Sequence, residues 1–466
     1  MSAKLNFLFF DGILLMLICK QNVLIISVCL FIFSGCSGGQ KISIWGGEGV
    51  DRALDVSSDT DGNIYVVGQF QGAADFNPSM GKLFYQTDND NSAFISKFRS
   101  TGAYDWTEII TSSGPSNIIA FSVANDEEGN VYIAGQSGGG QLINGSGIPF
   151  PNINQNTGAG FLIKLDPNGT TLWDVPLPGV GFDLVIDSNR NVFVAGAFGS
   201  TWDFDTGFGI NKFTSNGGMD IFLISFDKEG GFIWAQTFGG NDYFDRATGI
   251  AVQDNYIIIV GDFQGAVDFD PGSSRDIHNS NGQSDIFLSK FTKEGAYIFT
   301  ETFGGEGIDT CSDVLVLRDK IYITGAFTDH MILPKKSGDL NLNARGKQSD
   351  VYLANCDNNL EFIWARSWGG HSFDLGTGLA SIKDNEIIVC GSAQGLIDFN
   401  ADSGEPKIEN GTLFISRYRL DGRFISVMRL NGSAEDELAS IFIKDNKLIV
   451  CGMEDRDALL LSVPIE

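Results

Sequence analysis

The chain has little histidine, little positive charge and, after residue 40, no segment with a sustained helical repeat. Three histidines occur in 466 residues, His278, His330 and His371. They lie far apart, which argues against a histidine-rich metal centre. Lysine and arginine number 31 against 58 acids, for a formal charge of -27. Such a surface repels phosphate backbones, so no nucleic-acid partner is expected. Seven cysteines are present with no Cys-x-x-Cys pair or tight spacing, which indicates neither a disulfide framework nor a thiolate zinc site. Cys390 and Cys451 stand just before a recurring glycine, where other copies have Val67, Ala134, Ala195 or Val260; they read as small buried strand residues. Gly-x-Ser-x-Gly, His-Glu-x-x-His and phosphate-loop patterns are missing, and no catalytic residue can be named.

What is abundant points to one architecture. Hydrophobic residues make up 43%, with 58 glycines and 37 phenylalanines, the usage of many short strands joined by tight turns. A Gly-Gly turn followed by a strand ending on glycine recurs along the chain: Gly239-Gly240 leads to Gly261, Gly304-Gly305 to Gly325, and Gly369-Gly370 to Gly391. The strand-closing glycines are Gly68, Gly135, Gly196, Gly261, Gly325, Gly391 and Gly452, spaced 67, 61, 65, 64, 66 and 61 residues apart. Each full unit holds four apolar runs, as in Leu54–Ser57, Ile64–Val67, Phe94–Phe98 and Tyr104–Ile110, separated by turn signals such as Asp61-Gly62-Asn63. Four strands per repeat suggest a propeller blade. The seventh copy stops short of a fourth strand, and Lys41–Gly47 matches the strand it lacks. The expected fold is all-β: a seven-bladed β-propeller of four-stranded blades over residues 41–466, closed by the N-terminal strand pairing in the last blade.

Residues 1–35 read as an address. Val23–Phe33 is an apolar run of 11 residues, short for a bilayer span. It follows Lys20 and ends Phe33-Ser34-Gly35-Cys36. This resembles the bacterial lipoprotein signal, with Phe33 departing from the usual leucine. The resemblance implies a signal peptide over 1–35, lipidation of Cys36 and a short tether over 36–40. Ser37 stands where an aspartate would signal inner-membrane retention, so the resemblance implies a bacterial outer-membrane, lipid-anchored protein. A start at Met16 would give a compact signal with Lys20 in its basic region. An uncleaved membrane anchor is the alternative.

The repeat itself resembles the bacterial seven-bladed β-propeller repeat family, abbreviated SBBP. The pattern is a Gly-Gly turn, an aspartate, Asp-x-x-Gly-Asn, a strand closing on glycine, then Asp-Phe-Asp-Pro. The last element appears as Asp75-Phe76-Asn77-Pro78 and Asp268-Phe269-Asp270-Pro271, and in part as Asp203-Phe204-Asp205 and Asp398-Phe399-Asn400. The resemblance implies a fold and no common activity.

Asp51, Asp245, Asp309, Asp374 and Asp436 fall at similar positions just before the first strand. In a propeller they would approach the mouth of the central channel. Carboxylate oxygens suit calcium, the only cofactor the sequence suggests; the competing reading is that each aspartate accepts N–H groups of its own turn. Phe76, Phe204, Phe269 and Phe399 could present aromatics to a glycan or plug the gaps between blades. The function expected is a membrane-anchored surface module, monomeric, that binds or scaffolds a protein or glycan ligand without catalysis. The alternative is a carbohydrate-active enzyme, a hydrolase or lyase, needing two carboxylates that converge at the channel mouth. With only Ser37–Gln40 between Cys36 and the first strand, the face bearing the first-to-second-strand turns should lie toward the membrane.

Overall fold

A computed structural model describes residues 6–10, 13–17 and 41–465, apart from 79–80, 88–90, 115, 154–158, 208, 242–243, 401–407 and 434. Two units separate within the chain, Met1–Gly39 and Gln40–Glu466. In the first, Asn6–Phe10 pairs antiparallel with Ile13–Leu17. Cys36 and most of the expected signal lie outside the described residues.

The second unit is a seven-bladed β-propeller. In the third blade the order is Val180–Ile186, Val192–Phe198, Asp220–Phe226 and Phe232–Phe238, each strand antiparallel to the next. The other blades repeat that order, and among the described residues there is no helix. Lys41–Gly47 supplies the fourth strand of the last blade, Lys41 opposite Ser462 through Trp45 opposite Ala458. This joins the first blade to the seventh and leaves no open end to the ring.

The first strands of the blades are Arg52–Ser58, Ile119–Asn125, Val180–Ile186, Arg246–Gln253, Asp309–Leu317, Leu375–Ile382 and Glu437–Lys444. They pack in cyclic order, the last against the first, and so surround the central channel. Each carries a β-bulge two residues before the Val56-type core position, seen as a register shift between Ala53 and Asp55, Ala247 and Gly249, or Cys311 and Asp313. The bulge explains the recurring glycine. A Cβ on Gly261 would overlap the carbonyl oxygen of Arg246, and one on Gly68 that of Arg52.

Middle strands are buried on both faces: every residue of Ile64–Phe70 and Ser92–Phe98 is buried, which accounts for their near-continuous apolar runs. The fourth strand, Phe232–Phe238 for example, is exposed in part, with only Ala235 and Phe238 fully buried. The core is divided among the blade-to-blade interfaces. One such layer joins Phe193, Leu223 and Phe238 of the third blade to Phe269, Phe287 and Phe291 of the fourth. The phenylalanines of the Asp-Phe-Asp-Pro loops are all plugs in these layers: Phe76, Phe204, Phe269 and Phe399 are buried, and Phe269 meets Phe238 of the preceding blade at 5.6 Å. Between second and third strands the chain adds small hairpins, such as Thr201–Asp203 with Lys212–Thr214 and Ala266–Asp268 with Ile277–Asn279. Arms of three residues are too short to show an alternating pattern, and the sequence reading did not anticipate them.

Candidate functional site

The five aspartates singled out from the sequence are all buried, and each staples one blade junction. One oxygen takes an N–H from the turn that leaves the preceding blade; the other takes an N–H near the end of its own blade's second strand. Asp51 binds Gly47 N at 2.7 Å and Gln71 N at 3.1 Å. Asp245 binds Gly240 N at 2.8 Å and Gln264 N at 2.9 Å. Asp309 takes Gly305 N at 2.6 Å and Thr328 N at 3.4 Å. Asp374 takes Gly370 N at 2.6 Å and Gln394 N at 2.9 Å. Asp436 takes Ser433 N at 2.5 Å and Asp455 N at 2.9 Å. Burial raises the pKa of Asp51 to about 6 and those of Asp309 and Asp374 to about 7, against the N–H bonds that lower them. Among the described residues, no three histidine, cysteine, aspartate or glutamate side chains gather as a metal cage. The five staples are spread one to a junction.

A second set of carboxylates, which the sequence reading passed over, lies deeper on the first strands just after the bulge. Asp55 accepts its neighbour Val56 N and Val123 N of the next blade, both at 2.8 Å. Asp183 accepts Leu184 N at 2.8 Å and Ile250 N at 2.9 Å; Asp313 accepts Val314 N and Leu379 N, both at 2.7 Å. Three carboxylates thus satisfy the channel-side N–H groups of six blades, taken in pairs. Hydroxyl groups bridge the remaining junctions: Ser440 Oγ donates to Asp55 at 2.7 Å, Ser122 Oγ to Asp183 at 2.8 Å, Thr248 Oγ1 to Cys311 O and Thr377 Oγ1 to Leu438 O at 2.6 Å each. All seven junctions of the ring are tied. The inner edge of a propeller is a row of strand edges whose N–H and C=O groups need partners, and this girdle supplies them.

The girdle also sets its own charge state. Burial raises Asp55. Burial and then the charge of Asp55 raise Asp183 to about 7, and burial with the charge of Asp183 lifts Asp313 well above the usual range. All three shift in the same direction, so the girdle offers no acid and base held in contrasting environments.

Outside the girdle the seven-fold pattern breaks at the Gly-Gly face. The residues directly before three successive staples are apolar and exposed: Phe244 at 38%, Ile308 at 47% and Phe373 at 68%. Each sits on a turn held by its staple, and Phe244 and Ile308 are also bridged to Met219 and Ser284. Beside them, Arg246 pairs with Asp262 at 3.1 Å, and across the ring Arg52 pairs with Glu437 at 3.6 Å. The arc covers the entries to blades four, five and six. At the equivalent positions before the first and seventh blades stand the half-buried Val50 and the exposed acid Glu435.

No family model matches the chain. It is 21% identical over 490 aligned positions to an uncharacterized WD repeat-containing protein of Acanthamoeba polyphaga mimivirus, covering 87% of this chain and 35% of that protein. It is 28% identical over 175 residues to the regulatory protein FlaEY of Caulobacter vibrioides, covering 35% of this chain and 17% of that one. The chain therefore spans about a third or less of the length of these curated relatives. Among solved structures, the WD40 β-propeller domain of Doa1 aligns with a TM-score of 0.45 at 12% identity, over 91% of this chain and 96% of that one.

Proposed function

We propose that the protein is a binding or scaffolding module that recognises a partner through the Gly-Gly face, and that the partner is a protein. The arc of Phe244, Ile308 and Phe373 carries this reading. Exposed apolar side chains on successive, internally braced turns form a patch that binding would bury, with little ordering entropy left to lose. The charged pairs around it would form a polar rim. A glycan ligand remains within the same reading, as it was from the sequence, but aliphatic Ile308 between two phenylalanines suits a protein surface better. The mimivirus relative's description as a WD repeat protein is in keeping with an interaction role.

The address belongs to the same proposal. Lipidation at Cys36 would hold the propeller at a bacterial outer membrane, monomeric. Lys41 Nζ donates to Gly102 O in the turn between the third and fourth strands of blade one, so the chain enters the ring at the face opposite the arc. The arc would then point away from the membrane. The test is photocrosslinking in intact cells from a reporter residue at Ile308, compared with one at Ile298 on an outer strand. A discrete protein adduct at position 308 that disappears in Phe373→Ser is expected. Equal, diffuse labelling at both positions would remove the arc from consideration.

A further inference from the structure

The outer rim holds a third set of ties between blades, made by tryptophan in four of them; blade four has Phe299 at that place, blade seven Lys41, and blade six only the short Ser426. In blades one, two, three and five a third-strand residue faces a tryptophan of the fourth strand: Lys97 opposite Trp106, Lys164 opposite Trp173, Ser225 opposite Trp234, Asn355 opposite Trp364. Each of these tryptophans reaches the turn after the next blade's third strand. Trp106 Nε1 donates to Pro167 O at 3.3 Å, and Trp173, Trp234 and Trp364 donate to Lys228 O, Lys293 O and Leu420 O, each at 3.0 Å. An aromatic ring of the second strand stands against the indole in each case: Tyr65, Tyr132, Phe193 or Tyr322. In blade six the pair is Arg417 opposite Ser426. Ile388 takes the place of the aromatic ring, and Ile465 occupies the position of the acceptor residue. Arg417 turns back to Glu386, 2.7 Å away.

Where the indole would lie there is a cleft of about 170 Å³, walled by Ile388, Ile415, Val427, Leu448 and Val463 and bordered by Arg417, Ser426 and Ile465. Its size is close to that of an engineered apolar cavity of about 150 Å³ that stays dry and binds benzene. We propose that this cleft between blades six and seven receives the tryptophan side chain of a partner polypeptide, the indole N–H donating to the carbonyl of Ile465. The same fold makes this contact within itself at four other junctions, so the acceptor position is set by repetition, while Ile388 in place of an aromatic ring leaves the cleft open. The site is separate from the arc on the Gly-Gly face and does not depend on it.

The test is thermal melting of the full chain with 3-methylindole, 1,3-dimethylindole, and capped Gly-Trp-Gly and Gly-Leu-Gly peptides. At millimolar concentration 3-methylindole and the tryptophan peptide should raise Tm by about 1–2 °C. The dimethyl compound, which has no N–H, should give less than half that shift, and the leucine peptide none. Ser426→Trp should supply the missing latch in cis, raising Tm without ligand and abolishing the response. Ser426→Phe, which fills the cleft without an N–H, should abolish it as well. An undiminished response in both variants would place the binding elsewhere and overturn the proposal. So would equal shifts from the two indoles, or a response to 3-methylindole with none to Gly-Trp-Gly.

Discussion

Asp309 and Asp313 stand four residues apart at the start of one strand, as do Asp51 and Asp55, yet they belong to different devices. The outer member of each pair closes a turn at the channel mouth, the turn that exposes Glu306 and Ile308 in the case of Asp309. The inner member spans two blades and is half-buried, whereas the outer one is fully buried. Both accept two main-chain N–H groups, so the number of bonds does not separate them. What the bonds join does. The outer bonds link groups 4 and 19 residues apart around one turn in the case of Asp309, whereas each inner carboxylate ties its own first strand to that of the next blade, 66 to 68 residues away. The inner ring should therefore carry more of the stability than the outer one.

The largest effect should come from pH, because it acts on both rings together. Asp183, Asp309 and Asp374 are raised to about 7 and Asp51 to about 6, from 3.8. Between those values the fold keeps protons that the unfolded chain has released, so stability falls as pH rises from about 4 to about 7. Melting at pH 5.5 should exceed melting at pH 8 by several degrees. Asp183→Asn, neutral in both states, should flatten that slope; an unchanged slope would separate the girdle from the pH response. Next comes Asp313→Ala, which strands Val314 N and Leu379 N in the ring. We expect a loss of about 3 kcal/mol in urea unfolding. Asp309→Ala should cost less, about 1–2 kcal/mol. If Asp309→Ala cost as much as Asp313→Ala, the contrast between bonds within a turn and bonds between first strands would fail.

The two rings also differ in how far the sequence discloses them. The outer staples recur before the first strand in five blades, because each repeats one turn-building task. The strand-closing glycines recur in all seven, since the bulged first strand presses a carbonyl against each. Blade number, four-strand blades and the closing strand Lys41–Gly47 follow from that periodicity. The girdle has no such recurrence. At the place of Asp55, Asp183 and Asp313 the other blades carry Ser122, Gly249, Gly378 and Ser440, because one carboxylate serves two blades and its neighbour must make room. Residue type alternates while the function stays constant, and the bulge shifts the two-residue phase by one just where the signal lies. The arc was hidden for a different reason: Phe244, Ile308 and Phe373 look like strand-initiating core residues until the turn geometry turns them outward. The tryptophans 106, 173, 234 and 364 are regular in the sequence. Their role shows only in the next blade's carbonyls, about 60 residues away.

The smallest expected effect concerns calcium. Staple carboxylates at a channel mouth have the oxygen chemistry that a calcium ion takes, and that is why they drew attention in the sequence. Each now has both oxygens committed to main-chain N–H groups, with contact distances from 2.5 to 3.4 Å. Calcium needs six to eight oxygens, so a staple would have to release its turn to contribute one or two. Binding would exchange the junction's own bonds for the ion's, leaving little net stabilisation. Millimolar calcium should therefore move Tm by less than about 1 °C relative to chelator. A rise of several degrees that Asp309→Ala or Asp374→Ala removed would show that the outer ring opens to an ion. The two rings would then differ in ligand as well as in exposure.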